Sequence, residues 1–334
     1  MWPLQELDGS TSVIDGLTWW FFLASPKLID PELRHDHARI RLVTHGAEGW
    51  VDRDFVLPAQ FGPGSREWSG SCVRSDDGKS VTLYFTAAGD LSGGPRFQQR
   101  MFFTVGTLNV AAHALLDWSP PEELFVADGG LYAVADEMQR TDGMIDGFRD
   151  PSYFRDPRDG SEYIVFTGTR AACSEMADGV IGAAYRSNDG WTLLPPLIDA
   201  VGVSKELERP HIVEKNGLYY LFWSTPKGRF ATDIHGRTAL YGMVAESMLG
   251  PWRPVNRSGL IAGNPDAEPH QAYAWLVTKE LDVLSFANYP ELKDRNLDGN
   301  LELARDCFAG TVAPAFRLYL DGDRATFTMS GAYT

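Results

Sequence analysis

The chain has 334 residues, 44% of them apolar or aromatic, enough to bury a sizeable core. Its 45 Asp and Glu against 30 Lys and Arg give a net charge of −15, which excludes a phosphate-neutralising nucleic-acid binder and a protein drawn to an anionic membrane. With 12% Phe, Trp and Tyr, 33 Gly and 20 Pro, the composition excludes disorder and suits a β-rich, turn-rich protein with sugar-stacking surfaces. Along the chain, the apolar patch Leu17–Ala24 has no basic region before it, only Glu6, Asp8 and Asp15, so no targeting signal is read there. No run reaches the ~18 apolar residues of a membrane helix. Asp76-Asp77-Gly78 leads into an apolar, β-prone run from Ser80 to Thr86, Asp159-Gly160 into one from Tyr163 to Thr167, and Asn216-Gly217 into Leu218 to Trp223. The stretch from Glu208 to Glu214 precedes the last of these, and Leu281 to Ala287 is a fourth run. Asp-Gly and Asn-Gly supply the positive φ of tight hairpin turns, and such runs are too short for helices.

Recurring hairpins without βαβ spacing predict an all-β sandwich or propeller, and the irregular turn intervals set no blade count. No linker or long charge run divides the sequence, so residues 1–334 read as one domain. Cys72, Cys173 and Cys307 are odd in number and widely spaced; they imply neither a disulfide framework nor a zinc site and read as small buried hydrophobes.

The chemistry-bearing candidates are polar residues in apolar settings. Arg149-Asp150-Pro151 sets a carboxylate beside a guanidinium at a strand edge. In Glu206-Leu207-Glu208-Arg209-Pro210, strand alternation predicts Glu206 and Glu208 on one face and Arg209 on the other. In Glu67-Trp68-Ser69-Gly70-Ser71, Trp68 lies among polar groups. Taken singly, each reads equally well as a surface ion pair or a capped turn.

In this order, with Trp2-Pro3-Leu4-Gln5 ahead of them and Tyr241-Gly242, Gly250-Pro251-Trp252, Gln271-Ala272-Tyr273 and Gly310-Thr311-Val312-Ala313-Pro314 behind, they are specific. The chain resembles glycoside hydrolase family 68: levansucrases, inulosucrases and β-fructofuranosidases. The resemblance implies a five-bladed β-propeller whose central funnel binds sucrose. It also implies a retaining reaction, in which a carboxylate attacks the fructosyl carbon and a protonated carboxyl releases glucose. By motif match Glu208 is the acid/base and Asp150 the transition-state stabiliser. Trp2, Trp68, Ser69, Arg149, Glu206, Arg209 and Tyr273 are the substrate-binding set, Ser69 bonding the nucleophile and Trp68 stacking on sugar. The implied partners are sucrose and fructosyl acceptors, with no cofactor and no metal; secretion or a periplasmic location follows from the resemblance alone.

Three departures bear on function. The family's nucleophilic Asp would stand immediately before Met1, so the chain is expected to start one residue after it. A start site placed too late, or a nucleophile-less sugar-binding or partner subunit, would each explain this. Pro226 and Lys227 stand where many polymer-forming members carry an acceptor-facing Arg, so hydrolysis or short products are expected. Asp146 lies near a calcium-ligand position of some members but reads as a solvated turn carboxylate.

Overall fold

The computed structural model describes residues 1–93, 96–136, 144–329 and 333. Its strands form five antiparallel blades arranged in chain order. Blade I comprises Trp2–Gln5, Leu17–Ala24, Arg39–Gly46 and Gly49–Phe55; blade II comprises Arg66–Arg74, Ser80–Ala88, Gln99–Asn109 and Glu122–Glu123. Blade III comprises Phe148–Arg155, Glu162–Thr169, Gly179–Ser187 and Gly190–Asp199. Blade IV comprises Glu208–Lys215, Leu218–Thr225, Ala239–Ala245 and Arg253–Pro254; blade V comprises Ala272–Val277, Asp282–Ala287, Phe316–Asp321 and Arg324–Met329. Leu4 and Gln5 pair in parallel with Cys72 and Val73, joining the inner strands of blades I and II. The fold is a five-bladed β-propeller.

The second strands explain why the runs are continuously apolar. In blade III, Ile164 and Phe166 pack towards blade II with Tyr84 and Met101, while Val165 packs towards blade IV with Tyr219 and Leu221. In blade IV, Tyr220 and Phe222 turn the other way, to Trp275 and Val283 of blade V. A strand covered on both faces needs apolar side chains at every position, so the two-residue period disappears from the sequence. Met1, Trp20 and Leu284 form the remaining interface, between blades V and I. Tyr333 stacks on Trp50 there, ring centroids 5.9 Å apart, and closes the ring. Cys72 and Cys307 are buried as expected, but Cys173 is only half-buried.

The inner strands of blades III, IV and V are sheet edges, and side chains tie each to the blade before it. The Thr86 hydroxyl accepts from the Asp150 N–H (2.9 Å), that of Thr167 from the Arg209 N–H (3.2 Å), and that of Ser224 from the Trp275 N–H (3.0 Å). These hydroxyls end the aromatic runs Tyr84-Phe85-Thr86, Val165-Phe166-Thr167 and Phe222-Trp223-Ser224. The second strand of each of these blades thus presents a hydroxyl to the inner strand of the next.

Candidate active site

Trp2, Trp68, Arg149, Glu208 and Tyr273 occupy the beginnings of the five inner strands, one per blade. In a propeller those beginnings converge at one end of the central channel, which brings residues far apart in the chain around one pocket. Four of the strands slip register at that level: between Trp68 and Gly70, Arg149 and Ser152, Glu208 and His211, and Tyr273 and Leu276. Asp150, Arg209 and Ala274 sit in these bulges with φ of 63°, 54° and 56°, where non-glycine residues are rare. Pro151 and Pro210 follow directly, tolerated because an inner edge at a bulge has no ladder bond for them to lose. Gly70 is required in blade II, since a Cβ there would lie 1.9 Å from the Tyr84 carbonyl oxygen.

The bulges overturn one expectation. Strand alternation places Arg209 opposite Glu208, but the left-handed turn at Arg209 brings it back to the pocket. Its guanidinium donates to the Met1 carbonyl (2.6 Å) and lies over the Trp2 ring. Its charge is felt by the Met1 amine, as is that of Asp150. That amine is fully enclosed, and burial holds it well below its ordinary value.

Two carboxylates define the centre. Asp150 accepts from the Ser69 hydroxyl, from Thr167 Oγ1 (3.0 Å) and from the Arg209 N–H (3.2 Å). Arg149 Nε stands 3.8 Å away. Such a carboxylate, buried among donors from three blades, has one orientation. Glu208 accepts from Arg149 Nη2 (2.8 Å) at one oxygen and from the Tyr273 hydroxyl at the other. Its side chain is 21% exposed. Burial, then the charge of Glu206, pushes it up to about 7, with Asp150 adding to the rise and Arg149 opposing it. Arg149 itself is held charged: burial opposes this, but Glu208, Glu206 and Asp150 more than offset it.

Several assignments change. Ser69 donates its hydroxyl to Asp150, a partner the sequence did not suggest. Trp2 is 2% exposed, stacks on Phe21 and walls the narrow channel beneath the pocket, so it is core and offers no sugar-facing surface. Trp68 is half-buried, its indole N–H on the His35 carbonyl (3.0 Å) and Arg66 against its ring. Asp146 is not a solvated turn carboxylate, because Lys205 Nζ lies 2.9 Å from it. Arg229 was missed altogether. It donates to Glu206 (2.8 Å) from the loop that Pro226 and Lys227 open, two residues beyond Lys227. Gln99, Thr167 and Lys205 also escaped; only the hydroxyl ending each aromatic run gave a usable signal, for Thr167. A cavity of about 720 Å³ lined by Glu6, Arg74, Asp77 and Arg155 includes none of the candidate residues.

Five blades around an acidic centre, with one carboxyl pushed up to about 7 by burial and a neighbouring carboxylate and another fixed by donors, define a glycosidase-type propeller. The glycoside hydrolase family 68 model, described as Levansucrase/Invertase, matches residues 1–179 and 169–334, and the chain belongs to that family. It is 31% identical over 366 aligned positions to the levansucrase LscA of Pseudomonas savastanoi pv. glycinea, covering 97% of this chain and 84% of that one. A levansucrase of Zymomonas mobilis is likewise 31% identical, with 99% and 82% covered. Among solved structures, the inulosucrase from Halalkalicoccus jeotgali bound to kestose superposes with a TM-score of 0.89 at 34% identity, covering 98% of this chain and 86% of that one. Bacillus subtilis levansucrase shares the fold, with a TM-score of 0.79 at 20% identity over 98% and 84% of the two chains. No helix among the described residues is long and apolar enough to cross a membrane.

Proposed function

We propose that this propeller acts on sucrose, transferring the fructosyl group to water or to another sugar with retention at the anomeric carbon. The observation that carries the reading is Glu208: a carboxyl raised to about 7, held between Arg149 and Tyr273, and facing the pocket beside a fixed second carboxylate. Near neutral pH such a group holds a proton to give departing glucose and can then take one from the incoming hydroxyl. Asp150 is the transition-state stabiliser, its donors holding it still while positive charge develops on the fructosyl ring. Arg149 and Arg209 orient the two carboxylates, Glu206 sustains the high value of Glu208, and Trp68 offers the sugar a ring edge. The expectation of short products rests on Pro226 and Lys227 standing where an acceptor-facing Arg is expected. Arg229 on Glu206 removes that ground.

The attacking carboxylate belongs, by the resemblance, to the residue immediately before Met1. Met1 lies against the site, its carbonyl accepting from the Arg209 guanidinium at 2.6 Å. A form with Asp placed directly before Met1, in its natural upstream context, should hydrolyse sucrose, and the 334-residue chain only at a background rate. Glucose release measured for both decides. Full turnover by the 334-residue chain defeats this nucleophile assignment; sucrose binding without turnover by the extended form favours the sugar-binding reading.

A further inference from the structure

A closed circuit of polar contacts runs from Arg149 and Glu206 through residues to which the proposed reaction gives no part. Arg149 Nη1 donates to Gln99 Oε1 (3.1 Å), and Gln99 Nε2 donates to the Asp146 carbonyl (2.6 Å). The Asp146 carboxylate accepts from Lys205 Nζ (2.9 Å), which also donates to Asp178 (2.8 Å). The Lys205 N–H donates to the Arg229 carbonyl (2.7 Å), Arg229 Nε donates to Glu206 (2.8 Å), and Glu206 lies 3.5 Å from Arg149 Nη2. The circuit draws on blades II, III and IV and on the segment leading into blade IV. We infer that Lys205 is a positioning residue, holding Arg149 through Asp146 and Gln99 and holding Arg229 through its main chain, so that both arginines keep their places on Glu206 and Glu208.

The physical reason is the cost of the lysine. Its side chain is 3% exposed, and an ammonium so deeply buried costs several kcal/mol unless well paired. Asp146 precedes the inner strand of blade III and Asp178 precedes its third strand, so Lys205 pins two strands of that blade to the approach of blade IV. The circuit reaches the pocket at two points, Gln99 on Arg149 and Arg229 on Glu206. A clamp serving stability alone would have no need to terminate there. The role rests on reading Glu208 as the acid/base.

The test follows the Glu208 carboxyl in the full chain by infrared titration with ¹³C-labelled glutamate, its band assigned by loss in Glu208→Gln. This readout does not depend on turnover. The charged and titratable groups facing Glu208 are Arg149, Glu206, Asp150, Arg209 and Tyr273, with Arg229 behind Glu206. In Lys205→Met the midpoint should rise by about half a pH unit or more, because Arg149 is held less firmly on the ionised form. The pair Lys205→Met with Asp178→Asn removes one positive and one negative charge and should show the same rise. Gln99→Met, which changes no charge, should show it too. A return to the parent midpoint in the double variant would mean that Lys205 acts only as a distant charge and would overturn the inference. So would an unchanged midpoint in folded Gln99→Met, which decides alone if Lys205→Met does not fold. A parent midpoint in the ordinary carboxylate range would instead strike at the acid/base reading.

Discussion

Arg149-Asp150-Pro151 in blade III and Glu208-Arg209-Pro210 in blade IV are the same backbone device with the charges exchanged. Both open an inner strand, both slip register by a bulge, and both place the middle residue at positive φ. In each, the middle N–H reaches a threonine hydroxyl on the second strand of the preceding blade. Arg149 and Glu208 hold equivalent positions and pair with each other at 2.8 Å. Asp150 and Arg209 also hold equivalent positions, and the Arg209 N–H donates to Asp150. Repetition of a backbone fixes where charge can be placed, and inversion of charge between neighbours makes them partners. That pairing lets a pocket contain three acidic groups without their repulsion pulling it open.

The sharpest way to break this comparison is to remove one member's charge. In an active form, Glu208→Gln keeps the shape but not the proton, and turnover should fall by roughly 100-fold or more. A loss below tenfold, measured as glucose release, would leave Glu208 with a merely supporting part. Asp150→Asn attacks the other carboxylate. It turns an amide towards groups that donate, and should lower kcat about 100-fold with a smaller change in KM; an effect confined to KM makes Asp150 a binding residue. Glu206→Gln tests the field. The charge of Glu206 helps raise Glu208, so its removal lowers Glu208, and activity that needs the protonated acid should be lost at a pH about half a unit lower on the basic side. An unmoved basic limb would show that burial and Asp150 suffice to raise Glu208. The smallest effect is expected at the hinge between the blades. Thr167→Val removes a hydroxyl that bonds Asp150, the Leu207 carbonyl and the Arg209 N–H, and should cost about 1–3 kcal/mol in thermal or urea unfolding. Stability unchanged within error would mean the hydroxyls are incidental to blade packing.

Much of this was legible in one dimension. The turn glycines and β-branched runs located the second strands of blades II, III and IV to within a residue or two, because hairpin chemistry is local. Glu208, Asp150, Arg149, Ser69 and Tyr273 were legible because their motifs preserve residue order, and all five meet at one end of the channel. The inner strands begin at Trp2, Arg66, Phe148, Glu208 and Ala272, with the longest step between blades II and III. That uneven step concealed the fivefold repeat from any search for a period.

The sequence by itself determined which segments become strands and which of them carry carboxylates, since both depend on neighbours only a few residues away. Only the tertiary structure decided which way the middle residue of each motif points. A positive φ at Arg209 overrides strand alternation, and that φ is held by a hydroxyl from another blade. Tertiary structure alone also joined Lys205, Gln99 and Arg229 to the pocket, and it put Trp2 beneath the pocket's floor. Burial, charge coupling and the acidity of Glu208 depend on what packs around a residue, and those neighbours come from strands some sixty positions away along the chain.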